Sequence, residues 1–129
     1  MRSPYNPSAE DLRLWAYDEK ALEPKQDWDI IISGLPYENQ FMSFASDSEC
    51  PKADYFLALL YLIVGDAVRT RYRTKKKEEI EALLEKAKKQ FPKHSIYLWT
   101  ERSTVLLAHP DKFNYVDWCA GSLARNEEQ

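Results

Sequence analysis

Residues 53–71 read ADYFLALLYLIVGDAVRTR, and the part from Tyr55 to Val64 is apolar on every side of a helix. A helix that is hydrophobic all round belongs at the centre of a bundle or in a membrane. The apolar run is bounded by Asp54 and Asp66 and is shorter than the ~20 residues needed to cross a bilayer. The segment therefore predicts a buried central helix.

Three further helices are predicted downstream. Residues 74–91, TKKKEEIEALLEKAKKQF, place apolar side chains at helical spacing between lysines and glutamates, which predicts an amphipathic surface helix capped by Thr74. Helices are also predicted over 95–108 and 115–125. The link before 95–108 is so short that this helix should lie antiparallel to its predecessor.

Upstream of the central helix, the pattern predicts an arm and further helices. Residues 1–7 contain two prolines and precede any periodic pattern, so we expect a flexible N-terminal arm. Ser8 is expected to cap a helix over 9–22, and helical spacing of apolar residues predicts a short helix from Tyr37 to Ala45.

The segment QDWDIII, residues 26–32, fits two templates. Asp27 as an N-cap and Asp29 in the first turn favour a short helix, ended by Gly34. Isoleucine prefers strands, and on a strand the two aspartates would share a face, which leaves a carboxylate role open. We favour the helix because no other segment is a convincing strand partner. On a helix, residues two apart do not face each other, and we expect capping rather than chemistry.

Length and composition predict a single domain. The chain has 129 residues, 44% of them hydrophobic and seventeen aromatic, which is enough apolar surface to form a core. We therefore predict an all-α fold, a compact bundle of five to seven helices over residues 8–125 with the hydrophobic helix at its centre. Residues 126–129, NEEQ, should fray.

The charge pattern argues against nucleic-acid binding. The net charge is −3 and the isoelectric point about 5.4, so the domain has no overall positive field. The one local basic cluster is RTRYRTKKK, residues 69–77. We interpret it as a solvated connection between helices, with contact to an acidic partner or RNA as the functional alternative.

Other residue types exclude several classes of site. The three glycines, at positions 34, 65 and 121, are too scattered for a phosphate or dinucleotide loop. Gly65 and Gly121 lie inside helical patterns, which predicts close approach of a neighbouring helix or ring. Cys50 and Cys119 show no metal-ligand spacing and are expected to be thiols. We predict no cofactor, no membrane association and a cytoplasmic location.

Two hypotheses for function follow. The first is a non-enzymatic protein-binding module of the inhibitor, immunity or adaptor type common in bacteria, working as a monomer or homodimer. The alternative is an enzyme or small-ligand-binding domain whose pocket is assembled only in the fold. Asp66 and Asp117 are expected to be partly buried acids paired with Arg69 or Arg102. The candidate interaction or pocket residues are Trp15, Trp28, Asp66, Arg102, Asp117 and Trp118.

Overall fold

The computed structural model describes residues 1 and 3–125, and every regular element within them is helical. The eight α-helices of this part of the chain are α1 (Ala9–Ala16), α2 (Trp28–Ser33), α3 (Glu38–Ser46), α4 (Ala53–Arg69), α5 (Lys77–Gln90), α6 (His94–Ala108), α7 (Tyr115–Cys119) and α8 (Ser122–Arg125). A 3₁₀ turn, Pro110–Lys112, precedes α7. The predicted all-α fold class is confirmed.

The central position of α4 is also confirmed. Eleven of its seventeen residues are buried, among them the whole run from Leu59 to Gly65. It packs against α2, α3, α6, α7 and α8, so its apolar side chains meet neighbours on all sides. The molecule is a helical bundle built around this one element.

The amphipathic helix α5 packs on α6 through the predicted stripe, in which Ile80, Leu83, Leu84 and Ala87 are buried. Its start differs from the prediction. The helix begins at Lys77, and Lys76 occupies the N-cap position without a side-chain cap bond, so the prediction that Thr74 caps it is wrong.

The first helix ends at Ala16, six residues before the predicted end. Ser8 caps its start as predicted, in a reciprocal capping box with Asp11. At its other end, the carbonyl of Trp15 accepts a 3.1 Å bond from Lys52 Nζ and another from the Asp18 amide, instead of continuing the helical ladder. Residues 17–27 therefore form an irregular loop that is fastened to the start of α4.

Residues 28–33 are helical as predicted, but the capping interpretation is wrong. Asp27 precedes α2 with a left-handed backbone (φ 57°, ψ 34°), and its side chain makes no cap bond. An N-cap side chain reaches the first turn from an extended backbone, and a left-handed backbone points it elsewhere. Gly34 ends α2 in a right-handed conformation (φ −85°), so its lack of a side chain is not required there.

The last predicted helix divides at Ala120–Gly121, which raises the number of α-helices in the described residues to eight. Gly121 has φ +79°, a left-handed conformation in which a side chain would be strained. The prediction that it lies inside a helix is wrong, because it forms the corner between α7 and α8. Gly65, in contrast, lies inside α4 as predicted.

The two ends of the chain differ in what the structure describes. Pro7 is buried, and the carbonyl of Pro4 accepts a 2.8 Å bond from Trp28 Nε1; flexibility of residues 1–7 stays a prediction. The predicted fraying of residues 126–129 lies outside the described residues. Within the described part of the chain, no helix combines the length and the hydropathy required to traverse a membrane.

Candidate functional site

One end of the bundle brings together two stretches of chain, residues 15–27 and residues 47–55. The end of α1 lies beside residues 47–52, because the Cys50 thiol donates to the carbonyl of Ala16 (3.4 Å) and Lys52 bonds to the carbonyl of Trp15. The loop 17–27 joins the same place through a 2.7 Å hydrogen bond from the Tyr55 hydroxyl to Glu23. These contacts place the loop over the N-terminus of α4.

A cluster of aromatic rings supports this end. The Trp15 ring lies edge-on to Trp28 (centroids 4.7 Å apart) and to Tyr55 (4.9 Å), which brings two of the predicted site residues together. Both rings are buried, Trp28 completely and Trp15 with 7% of its surface exposed, and Trp15 lines the groove described next. The indole N–H of Trp15 donates to the carbonyl of Leu22 (2.9 Å) and fixes the loop against the rings.

An open groove of about 590 Å³ lies between the loop and α4, and we call it the Trp15 groove. Its lining residues are Trp15, Ala21, Leu22, Glu23, Lys25, Gln26, Pro51, Lys52 and Tyr55. Burial and the hydrogen bond to Glu23 raise the pKa of the Tyr55 hydroxyl well above its ordinary range. The phenol therefore stays protonated and remains a donor to Glu23.

Both lysines of the groove are engaged within the molecule. The ammonium of Lys52 bonds to the carbonyls of Trp15 and Asp18 and lies 4.5 Å from the centroid of the Trp15 ring. The ammonium of Lys25 lies 4.9 Å from the centroid of the Tyr5 ring. These contacts are favourable cation–π and charge–dipole interactions, and they hold each cation against another part of the protein.

The surface around the groove is acidic. Residues 17–54 hold nine Asp and Glu against three Lys. We call six of these acids the acidic end: Asp18, Glu19, Glu23, Asp47, Glu49 and Asp54. Within the described residues none of the six forms an ion pair, although five other ion pairs are present there. This end therefore carries an excess of carboxylates over lysines, and none of the six named acids is in a close ion pair within the described residues.

One of these acids is held by a neighbouring ring. The Tyr17 hydroxyl donates to Asp47, and this bond together with the Glu49 amide lowers the pKa of the Asp47 carboxyl. The same bond raises the pKa of the Tyr17 hydroxyl to about 12. Tyr17 is 39% exposed and Leu22 85% exposed, so aromatic and aliphatic surface lies among the acids.

Two other predicted site residues, Arg102 and Trp118, lie C-terminal to α4 in the chain. Together they line a second groove of about 390 Å³. We call it the Arg102 groove; its other lining residues are Leu98, Glu101, Val105, Leu106, Lys112 and Leu123. Arg102 donates to the Tyr61 hydroxyl and to the carbonyl of Leu123, both at 3.0 Å. The two grooves share no lining residue.

The predicted acids lie outside both grooves. Asp66 pairs with Arg69 at 3.1 Å, as expected, and accepts a 3.7 Å contact from the Cys119 thiol. Burial, followed by the nearby Asp66 charge, raises the pKa of Cys119 to about 11, so this thiol is not an activated nucleophile. Asp117 forms no ion pair with Arg69 or Arg102, and that prediction is wrong. Its amide is instead capped by Asn114 (3.0 Å), at the start of α7.

The residues that sequence reasoning missed are Glu23, Lys52 and Tyr55. Tyr55 belongs to the apolar run of α4, and its partner Glu23 lies 32 positions away. No local spacing links such residues, because the loop is folded back only by tertiary contacts. An excess of acids over residues 17–54 was the one available signal.

The described residues contain no group of His, Cys, Asp and Glu suited to holding a metal ion. Comparisons with protein-family models, with curated proteins and with solved structures give no match to this chain. The case for function therefore rests on the geometry of this molecule.

Proposed function

We propose that this protein is a non-enzymatic binding module of the inhibitor, immunity or adaptor type. Its acidic end binds a basic surface of another protein. The observation that carries the proposal is a set of six acids, none of them in an ion pair within the described residues, beside an open aromatic groove. Charge complementarity of this kind speeds encounter and rejects partners of the wrong charge. The partner we expect presents Lys and Arg around an apolar side chain.

The surface has the mixture of groups that protein interfaces use. Tyr17 and the half-buried Tyr55 offer rigid aromatic area, and Leu22 offers aliphatic area, beside the charged side chains of the acidic end. Interface cores are enriched in aromatic residues, and charged groups at the rim set partner choice. An open groove in such a setting suits an inserted side chain of the partner better than an enclosed substrate.

The acids at this end do not converge on a common point in the way catalysis requires. Among the described residues, Glu23 is the one carboxylate that lines the Trp15 groove, and it already accepts a hydrogen bond from the Tyr55 hydroxyl. General acid–base chemistry needs groups within hydrogen-bond reach of one reacting atom. The geometry therefore favours binding over turnover.

A second candidate, binding of a small ligand, is supported by one observation. The Arg102 groove combines Trp118 and four aliphatic side chains with polar groups, a composition found in small-molecule sites. A ligand in this groove would quench or shift Trp118 fluorescence. Such a change, lost in Trp118→Phe and unaffected by substitutions at the acidic end, would support this candidate.

We also propose a cytoplasmic location, with the protein acting as a monomer or homodimer. Cys50 and Cys119 are both free thiols, and a reducing compartment maintains that state.

The test compares two variants with the same change in charge. The first variant neutralises the four acids of the acidic end that accept no hydrogen bond from a tyrosine: Asp18→Asn, Glu19→Gln, Glu49→Gln and Asp54→Asn. In the matched control, four acids outside both grooves are neutralised: Glu78→Gln, Glu81→Gln, Glu85→Gln and Asp111→Asn. Tagged forms capture partners from cell extract, mass spectrometry identifies them, and calorimetry with the purified partner gives Kd.

We expect the acidic-end variant to raise Kd by at least about tenfold and the control variant to leave it within about twofold, because rim charges act mainly where they face the partner. Binding should also weaken as salt increases. Equal effects of the two variants, or a partner surface without excess Lys and Arg, would contradict the proposal.

A further inference from the structure

A basic surface lies between α4 and α5, where residues 70–77, TRYRTKKK, form what we call the basic turn. Lys75 lies 3.7 Å from Glu38 and 3.9 Å from Glu79, and these are the ion pairs of the turn within the described residues. Four other cations, Arg71, Arg73, Lys76 and Lys77, are exposed and have no ion pair in that part of the chain. The turn thus presents four uncompensated positive charges over seven residues.

The backbone of the turn is held in an unusual shape. Arg71 (φ 57°) and Tyr72 (φ 65°) are consecutive non-glycine residues in the left-handed region, which side chains disfavour. The Tyr72 amide donates to the carbonyl of Ala67 at 2.6 Å, and the half-buried Tyr72 ring packs against the core. The cations are therefore carried by an anchored turn, not by a loose loop.

Two of these cations also lie at the N-terminus of α5, where positive charge destabilises the helix. Lys76 occupies the N-cap of α5, a position that Ser, Thr, Asp or Asn stabilises, and its side chain makes no cap bond. Lys77 is the first residue of the helix, where the positive end of the helix dipole repels a cation. Several residues of this one exposed segment are therefore unfavourable for the local backbone or helix. Such residues are expected where they are selected for function and not for stability.

We propose that the basic turn is a docking surface for a short acidic segment of another protein, whose carboxylates pair with Arg71, Arg73, Lys76 and Lys77. Complementary charge over a footprint of seven residues fits such a segment. The inference concerns a surface separate from the acidic end and does not depend on the function proposed for it.

The surroundings of the turn favour carboxylates over a nucleic acid. The turn's one aromatic ring, Tyr72, packs on the core and so provides no platform for stacking bases. Glu38 and Glu79 pair with Lys75 beside the turn, and Glu78 follows it directly, so a long phosphate backbone would pass close to negative charge. A short acidic peptide can avoid these groups.

The experiment uses hexaglutamate with blocked ends as the probe, titrated into the ¹⁵N-labelled full chain at low salt. The test variant is Arg73→Gln, Lys76→Gln and Lys77→Gln, which leaves the left-handed residues and Lys75 unchanged. The control variant removes the same charge from the exposed side of α5, through Lys86→Gln, Lys88→Gln and Lys89→Gln. A seven-nucleotide oligothymidylate, with six phosphodiesters, is titrated in parallel.

We expect the peptide to shift amides of residues 70–77, and its Kd to rise at least about fivefold in the test variant but not in the control. We also expect the melting temperature of the test variant to equal or exceed that of the wild type, because the substitutions remove positive charge from the N-terminus of α5. This melting result separates lost contacts from lost folding.

Four outcomes would overturn the proposal: no peptide binding by the wild type, equal loss in the control variant, tighter binding of the oligothymidylate than of the peptide, or a lower melting temperature of the test variant. If the triple variant does not fold, the single change Arg73→Gln, outside α5, must still weaken peptide binding measurably, and unchanged binding would count against the proposal.

Discussion

Asp27 shows how a single backbone angle overrides a residue's usual role. Its left-handed conformation removes the cap that its side chain would supply to α2. Asp27→Gly should be at least as stable as the wild type, because glycine adopts this conformation freely. Asp27→Thr should lose about 1–2 kcal/mol, because a β-branched residue is strained there. Urea denaturation measures both; a true N-cap would reverse the order, since Thr caps well.

Asp29 is disfavoured in its charged form. Burial, followed by the nearby carboxylates of Glu23 and Asp27, raises the pKa of Asp29, and these effects outweigh the 2.9 Å bond from the Ile30 amide. A folded pKa above the unfolded value means that the protonated form adds stability. This contribution is present below about pH 4 and lost as the pH rises through the folded pKa.

Asp29→Asn should therefore raise Tm at pH 7 and leave it unchanged at pH 3, where the wild-type carboxyl is protonated. Asp111→Asn, at an exposed acid of the 3₁₀ turn, is the control and should change Tm little at either pH. A lower Tm of Asp29→Asn at pH 7 would mean that the helix-dipole interaction dominates instead.

At the scale of elements, the contact between α4 and α7 depends on one missing side chain. A Cβ on Gly65 would lie 2.6 Å from the Cβ of Trp118 and 3.2 Å from the Cys119 sulfur, and the nearer atom, the Trp118 Cβ, can move only with the backbone of α7. Gly65→Ala gains about 1 kcal/mol of helix propensity. Displacing α7 should cost about 1–3 kcal/mol, as overpacked cores do.

We expect Gly65→Ala to lower the free energy of unfolding and to shift the emission of Trp118. Gly34→Ala is the matched control, because a Cβ there meets only the Ile31 carbonyl oxygen at 3.8 Å and the backbone is right-handed. It should be neutral or slightly stabilising. Equal stability of the two variants would show that α7 can move away at no cost.

A helix could be predicted from the sequence where the spacing of its own apolar residues determines which side is buried. The apolar run of α4 and the stripe of α5 determine their own burial, and both predictions are confirmed. The C-terminal end of α1 depends on a distant partner, the bond from Lys52 to the Trp15 carbonyl, and the corner at Gly121 depends on a single φ value. The local sequence pattern does not indicate these contacts.

At the scale of the whole molecule, charge is divided along the chain. Residues 1–54 hold eleven acidic and five basic residues, whereas residues 55–129 hold ten acidic and thirteen basic residues. The sequence pattern predicted a single acidic molecule, because the net charge of −3 averages over both parts. The fold brings acids of residues 18–54 together beside the Trp15 groove, whereas the cations of the basic turn are already adjacent in the sequence. Two surfaces of opposite charge are what an adaptor needs to contact two different partners or two parts of one.

The last prediction concerns the cooperativity of the bundle, and it tests the single domain predicted over residues 8–125. Helix α4 contacts elements from both halves of the chain, so neither half keeps a core without it. Amides in the middle of α4, α5 and α6 should then exchange with solvent only through global opening, with one common protection free energy. The loop 17–27 should exchange much faster, since few backbone bonds hold it. Hydrogen exchange by mass spectrometry measures this. A markedly lower protection of α5 and α6 than of α4 would show that this helical pair opens as a separate unit.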